Sequence, residues 1–201
     1  MHLILASGSP RRHELLQQLA PAFEIQVSDI EEHLNASLPS LGEQVADLAR
    51  QKALAVAEQQ PLSTPVCVLG ADTIVCIDHQ ILGKPRDAED AARMLNQLSG
   101  RWHEVITGVA VIQPRAGQAT AEWPCWLDFE ISRVLMHPIK ASDCAEYIAS
   151  GEPMDKAGAY AIQGGAGRFV AEFTGTYENI VGLPLELTRR LLQQAGYLQL
   201  L

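Results

Sequence analysis

The residues best suited to anion chemistry begin at Ser7-Gly8-Ser9-Pro10-Arg11-Arg12, directly after the apolar run at 3–6. Ser9 suits a helix N-cap, and Pro10 suits the first turn, where its missing N–H costs nothing. Arg11 and Arg12 then fall where unpaired backbone N–H groups already carry partial positive charge. A cation there is mildly unfavourable, by about 0.3–1 kcal/mol at an exposed site. An anion resting on the turn reverses that sign, accepting from N–H groups, serine hydroxyls and both guanidinium forks. The bland alternative is an exposed basic pair on a capped surface helix. No GxxxxGK[ST] or GxGxxG turn occurs in the chain, so neither familiar phosphate-binding loop accounts for an anion site.

Asp72 is the second feature. It stands in Val68-Leu69-Gly70-Ala71-Asp72-Thr73-Ile74-Val75, where its neighbours are mostly apolar or small. A carboxylate buried bare is very costly, so Asp72 must be paired, metal-bound or protonated. Strand alternation puts it on one face with Gly70 and Ile74 and turns Thr73 the other way, unless the strand bulges. It reads as a metal ligand or general base, or else as a structural aspartate bonded to backbone N–H groups. Glu31 and Glu32 could add a second acidic group for a divalent metal, or form a solvated acidic loop. Lys52 falls on an apolar helical stripe between Ala49 and Val56, and Lys84 lies in Gly83-Lys84-Pro85. The Gly/Ala-rich stretch 158–167, which contains Gln163, would let backbone approach a ligand or simply turn tightly. The six histidines make no HxxxH pair or triad and receive no role.

The elements that must position these groups alternate between strand and helix, which indicates one α/β unit. Residues 3–6 read as a buried strand, and Leu15, Leu16 and Leu19 continue the helix after Ser9. A second helix spans 44–58. A nearly unbroken apolar strand spans 66–77, followed by a turn at Asp78-His79-Gln80 that returns through Ile81 and Leu82. Asp87 caps a third helix ending at Gly100. Strands are expected at 103–112, 126–134 and 168–173, and helices at 142–150 and 184–195. In the strand 126–134, Leu127, Phe129 and Ile131 alternate against Asp128, Glu130 and Ser132. Residues 113–124 are the least patterned and read as a surface connection.

With 201 residues, 47% of them hydrophobic and 19% charged, the chain is long enough for a sizeable core. A net charge of -9 and a pI near 5.1 argue against a nucleic-acid or anionic-membrane partner, so positive charge for an anionic substrate must be local. The four cysteines show no ligand spacing and read as buried apolar residues of a reducing compartment. The first residues lack a basic flank and long apolar stretch, and no apolar run approaches about 18 residues. A soluble, cytoplasmic protein is expected.

Taken in order, LASGSPRR from Leu5, LARQKA from Leu48, LGADTIV from Leu69 and LGKPRDAEDA from Leu82 resemble the Maf family of nucleotide pyrophosphatases, the septum-formation-inhibitor-like proteins. LSGRWHEVITGVAV from Leu98, GEPMDKAGAYAIQG from Gly151 and YENIVGLPL from Tyr177 extend the likeness over nearly the whole chain. The resemblance implies a mixed central β-sheet flanked by helices in a single domain, with an active-site cleft between two lobes. It implies hydrolysis of a nucleoside triphosphate to monophosphate and pyrophosphate, with Mg²⁺ or Mn²⁺, and a homodimer. SPRR, ADT and AYxIQG together resemble the branch acting on dTTP and UTP, a house-cleaning activity. They make Arg12, Thr73 and Gln163 the positions that set base preference, and the amide of Gln163 suits the O4/N3 edge of uracil or thymine. The branch acting on 7-methyl-GTP carries an aromatic residue near Arg11 and a different pair after its aspartate, and this chain lacks both. The same resemblance makes Asp72 the proton acceptor and Glu32 an acidic position near the metal. Ser7, Arg11, Arg12, Lys52 and Lys84 match phosphate-contacting positions. Two departures stand out: Asp47 where Arg is common, and Ala161 where Gly is usual. From a different class comes the rival reading, a non-catalytic nucleotide-binding regulator of cell division.

Overall fold

The computed structural model describes residues 1–199. Seven strands form a mixed sheet: β1 (His2–Leu5), β2 (Glu24–Ile25), β3 (Val66–Ile77), β4 (Gln80–Leu82), β5 (Trp102–Ile112), β6 (Cys125–Met136) and β7 (Val170–Thr174). Their order is β2-β1-β3-β5-β6-β7, with β4 paired to β3 off that path. The β1–β2 and β1–β3 pairs are parallel, Leu3 lying opposite Cys67 and Leu5 opposite Leu69, whereas β3–β4 and β6–β7 are antiparallel. The helices are α1 (Pro10–Gln17), α2 (Leu41–Ala57), α3 (Ala88–Leu98), α4 (Ala141–Ala149), α5 (Tyr177–Val181) and α6 (Leu185–Gln194). Among the described residues no helix is long and apolar enough to cross a membrane.

The chain divides into two compact units. The first comprises Met1–Asp72, Thr107–Glu130 and Gly182–Leu201, and the second Thr73–Ile106 and Ile131–Val181. A core of the first unit gathers Ile4, Val56, Val66, Val68, Ile112 and Trp123. Helix α2 lies flush on the sheet there, because Gly70 of β3 and Gly108 of β5 carry no side chain. A Cβ at Gly70 would fall 2.2 Å from the carbonyl oxygen of Ala49, and one at Gly108 would fall 2.5 Å from the backbone of Val45 and Ala46. The second unit packs Leu95, Leu98, Val134, Met136, Tyr147 and Phe169 into its own core.

Caps and turns follow the sequence closely. Ser9 caps α1 through the N–H of Arg12, and Asp87 caps α3 through the N–H of Asp90 at 2.8 Å. The β3–β4 turn bends at Asp78 and His79, whose φ values are 50° and 61°. Helix α2 starts three residues before its expected 44, because Ser40 and Glu43 form a capping box. Strand β7 begins at Val170 rather than 168, since Gly165–Phe169 winds as a 3₁₀ turn. Beyond the sequence reading lie β2 and α5, both too short for a periodic signal.

The apolar alternation of Leu127, Phe129 and Ile131 does not mark the inward face of β6: Leu127 and Ile131 are 41% and 43% exposed, while Ser132, Val134 and Met136 are buried. Hydrogen bonding holds Ser132 inside. Its hydroxyl donates to the Thr176 carbonyl at 3.1 Å and accepts from the Asn179 amide at 2.9 Å. A satisfied hydroxyl can lie in a core where alternation of apolar residues would not place it.

Candidate functional site

In the first unit, the turn after β1 folds Ser7 and Arg12 onto each other. The Ser7 hydroxyl accepts from the Ser9 N–H at 3.3 Å and from Nη1 of Arg12 at 3.2 Å. Nε of Arg12 donates to the Gly182 carbonyl at 2.8 Å, tying the turn to the start of the segment that leads into α6. Burial lowers the pKa of Arg12 from its ordinary value, opposed by the carboxylates of Asp72 and Glu32 and reinforced by Arg11. Arg12 is therefore anchored on one edge and electrostatically faces both acidic candidates. Arg11 is half-buried, and α1 has no acidic residue in its first turn to neutralise the pair.

Asp72 is buried on β3, and its partner comes from α2. Nζ of Lys52 donates to Oδ1 of Asp72 at 2.6 Å and lies 2.7 Å from Oε1 of Glu32. The Lys52 and Asp72 side chains are 11% and 10% exposed, against 54% for Glu32. The cause is visible one helical turn away. With Gly70 bare, α2 settles onto β3 so that Lys52, one turn after Ala49, reaches the residue two positions beyond Gly70. The sequence reading set Lys52 against phosphate; here it is bonded to both acidic candidates. Buried ion pairs of this kind are costly to break from one side, because the survivor is left uncompensated.

Asp47, the departure on α2, has partners of its own. Nε of Arg50 and the amide of Gln51 each donate to its carboxylate at 2.8 Å. It is neutralised locally on its own helix.

The remaining candidates lie in the second unit. Thr73 follows Asp72 along β3 and is half-buried. Lys84 is exposed after β4, and the neighbouring Gly83 carbonyl accepts from the Gly158 N–H at 3.0 Å. That bond fastens the Lys84 segment to the start of the stretch that carries Gln163. At Gly158 φ is 68° and a Cβ would meet Val75 at 3.0 Å, so both conformation and space call for glycine. Gln163 is exposed within the turn 161–164. Ala161, the second departure, keeps φ out of the left-handed region and donates its N–H to the Tyr147 hydroxyl at 3.3 Å. A methyl group there brings no backbone strain.

Two residues near this stretch went unmarked in the sequence. Tyr147 and Glu152 both bond to the turn around Gln163. Glu152 stands in the GEPMD segment, and Tyr147 continues the buried side of α4 three residues after Cys144; neither carries a local signal that points to the Gln163 turn.

Three cations, Arg11, Arg12 and Lys52, accompany two carboxylates, Asp72 and Glu32, in the first unit, a locally positive group in a chain of net charge -9. Two carboxylates converging on one ammonium supply oxygen donors of the kind Mg²⁺ takes, one or two carboxylates completed by waters and phosphate oxygens. No group of three or more His, Cys, Asp or Glu that could hold a metal ion occurs among the described residues. The residues present thus fit a metal shared with a phosphate-bearing ligand and do not fit a cage made by protein alone.

The sequence model of the Maf-like protein family matches residues 2–195. The chain is 46% identical, over 97% of its length and 90% of the relative's, to a dTTP/UTP pyrophosphatase of Anaeromyxobacter sp. (strain Fw109-5). It is also 46% identical to a dTTP/UTP pyrophosphatase of Escherichia coli O157:H7, over 98% of this chain and 94% of that one. Among solved structures it is similar to a HAM1 protein from Coxiella burnetii, with a TM-score of 0.45 and 14% identity over 96% of this chain and 99% of that one.

Proposed function

The chain belongs to the Maf family, and from that premise we propose that it hydrolyses dTTP and UTP to the nucleoside monophosphate and pyrophosphate. The observation carrying this reading is the nearly full-length 46% identity to relatives that bear that name. The locally positive group in an acidic chain supports it, since a triphosphate brings roughly four negative charges at neutral pH and its hydrolysis is mostly a matter of positioning and charge stabilisation.

The reaction is in-line attack of water on the α-phosphorus. Asp72 accepts the proton of the attacking water, its carboxylate oriented by the Lys52 bond at Oδ1. An ammonium has three N–H donors. The bonds from Lys52 to Asp72 and Glu32 use two of them, so the third can meet a phosphate oxygen. Arg11 and Lys84 bind phosphate charge directly. Arg12, held by Ser7 and Gly182, adds a fixed guanidinium. Gln163 reads the base with one donor and one acceptor, and Thr73 helps select it. Asp72 and Glu32 would hold a divalent cation, Mg²⁺ or Mn²⁺, which when bound neutralises phosphate charge and makes water more acidic.

Pyrophosphate release from dTTP, UTP, CTP and a methylated nucleotide, with Mg²⁺ or Mn²⁺, tests the reading. Turnover is expected to be highest with dTTP and UTP and to fall at least a hundredfold in Asp72→Asn, with nucleotide binding largely retained. No release from dTTP or UTP under either metal would overturn it.

A further inference from the structure

Gln163 is exposed and sits at the middle of a turn whose two shoulders are gripped from outside. Ala161 on one side donates its N–H to the Tyr147 hydroxyl at 3.3 Å, and Gly165 on the other donates its N–H to Oε2 of Glu152 at 3.0 Å. The two gripping residues are themselves joined, the Tyr147 hydroxyl donating to Oε1 of Glu152 at 2.9 Å. One phenol and one carboxylate therefore close a ring around 161–165. Tyr147 is 3% exposed and packs edge-on against Phe169 at 5.7 Å between ring centroids, so its hydroxyl cannot wander. Gly151, at φ 76°, redirects the chain after α4, and the Glu152 N–H then donates to the Ser150 hydroxyl at 3.2 Å.

The fit is tight on the side of the turn itself. A Cβ at Gly164 would fall 2.0 Å from Oε1 of Glu152, and one at Gly165 would fall 3.3 Å from the Tyr147 ring. Residue 164 must therefore be glycine for as long as the Glu152 carboxylate keeps its bonds. The Gly164 N–H closes the turn on the Ala161 carbonyl at 3.1 Å. Just before it, the Tyr160 hydroxyl lies 2.7 Å from Nε2 of His103, which fixes the entry.

We propose that Tyr147 and Glu152 are positioning residues for base selection: they set the backbone from which Gln163 addresses the nucleobase, without touching the substrate themselves. This rests on the reading of Gln163 as the base-reading residue. A carboxylate accepting backbone N–H bonds forms the stronger, charge-assisted kind, and a turn pinned at both shoulders presents its central side chain with little freedom to adapt to a different base. Loosening the grip then relaxes discrimination and leaves Asp72, Lys52, Arg11 and Arg12 of the first unit as they are.

The test compares kcat/KM for dTTP, UTP and CTP in Gln163→Ala, Tyr147→Phe, Glu152→Ala and Glu152→Gln, together with amide hydrogen exchange over 161–165. Each lost bond is worth about a three- to tenfold effect. Tyr147→Phe and Glu152→Ala should each lower the preference for dTTP and UTP over CTP by about that factor, through KM, with kcat for dTTP within about twofold of the parent. Exchange should speed up at Ala161 and Gly165, and Glu152→Gln should recover part of the preference because its amide oxygen still accepts. Gly164→Ala should relax selectivity in the parent but add less than about twofold in the Glu152→Ala background, where the obstructing carboxylate is gone. Suppose Gln163→Ala relaxes selectivity while Tyr147→Phe and Glu152→Ala leave it within twofold, or lower kcat equally for all three nucleotides. The positioning role is then overturned and the reading of Gln163 stands. If Gln163→Ala leaves selectivity unchanged, both fall together.

Discussion

Lowering the pH from 7.5 to 4.5 should cost this protein about 2.5 kcal/mol of folding stability through one residue, His103. The imidazole is 2% exposed, lies 2.7 Å from the Tyr160 hydroxyl through Nε2, and meets the Tyr160 ring edge-on at 5.4 Å between centroids. Burial pushes its pKa down to about 4 from the ordinary 6.5. Above pH 6.5 the folded and unfolded chains both carry it neutral. Between 6.5 and about 4 the unfolded chain binds a proton that the folded one refuses, so stability falls as pH falls and the loss is complete below the folded value. The whole displacement corresponds to about 3 kcal/mol, most of it spent by pH 4.5. Urea unfolding followed by circular dichroism, at half-unit steps from pH 7.5 to 4.5, measures it. The control is His103→Gln, which cannot titrate but keeps an amide to meet the Tyr160 hydroxyl. Carboxylates titrate alike in both proteins, so the difference between their pH slopes isolates the histidine. Parallel loss within about 0.5 kcal/mol, or an imidazole that titrates above pH 6 by nuclear magnetic resonance, would refute the reasoning.

Two further outcomes are expected. Lys52→Met should destabilise the chain by about 3 kcal/mol because it strands the Asp72 carboxylate. Adding Asp72→Asn should recover at least about 1 kcal/mol of that in urea unfolding, and strict additivity would show that the two side chains do not depend on each other. Gly70→Ala, whose Cβ would fall 2.2 Å from the Ala49 carbonyl oxygen, should cost about 1–3 kcal/mol by overpacking. It should also lift α2 enough to weaken the Lys52–Asp72 contact, read as a lower thermal midpoint together with a lower kcat. An unchanged midpoint would mean that the helix does not rest on that glycine.

Much of this protein was settled by local chemistry that a single chain displays. Ser9 before Pro10, Asp87 before an amphipathic run and the turn at Asp78-His79 mark element ends through hydrogen bonding and backbone preference that act within a few residues, and the structure has them there. Asp72 inside an apolar strand had to be paired, metal-bound or protonated on energetic grounds alone, and Lys52 stood on the apolar stripe of α2; both are buried. Which partner each would take was not legible. Periodicity tells which way a side chain points along its own element and says nothing about what waits opposite. The Lys52–Asp72 bond spans 20 positions and exists because Gly70 lets helix backbone lie against strand backbone. Arg12 reaches a carbonyl at Gly182, and Ser132 turns inward against the apolar alternation because Thr176 and Asn179 bond it. The grip of Tyr147 and Glu152 on the Gln163 turn is of the same kind. Burial and capping are decided by the free energy of one residue in its segment. Pairing between segments is decided by register and close approach, which only the folded chain defines.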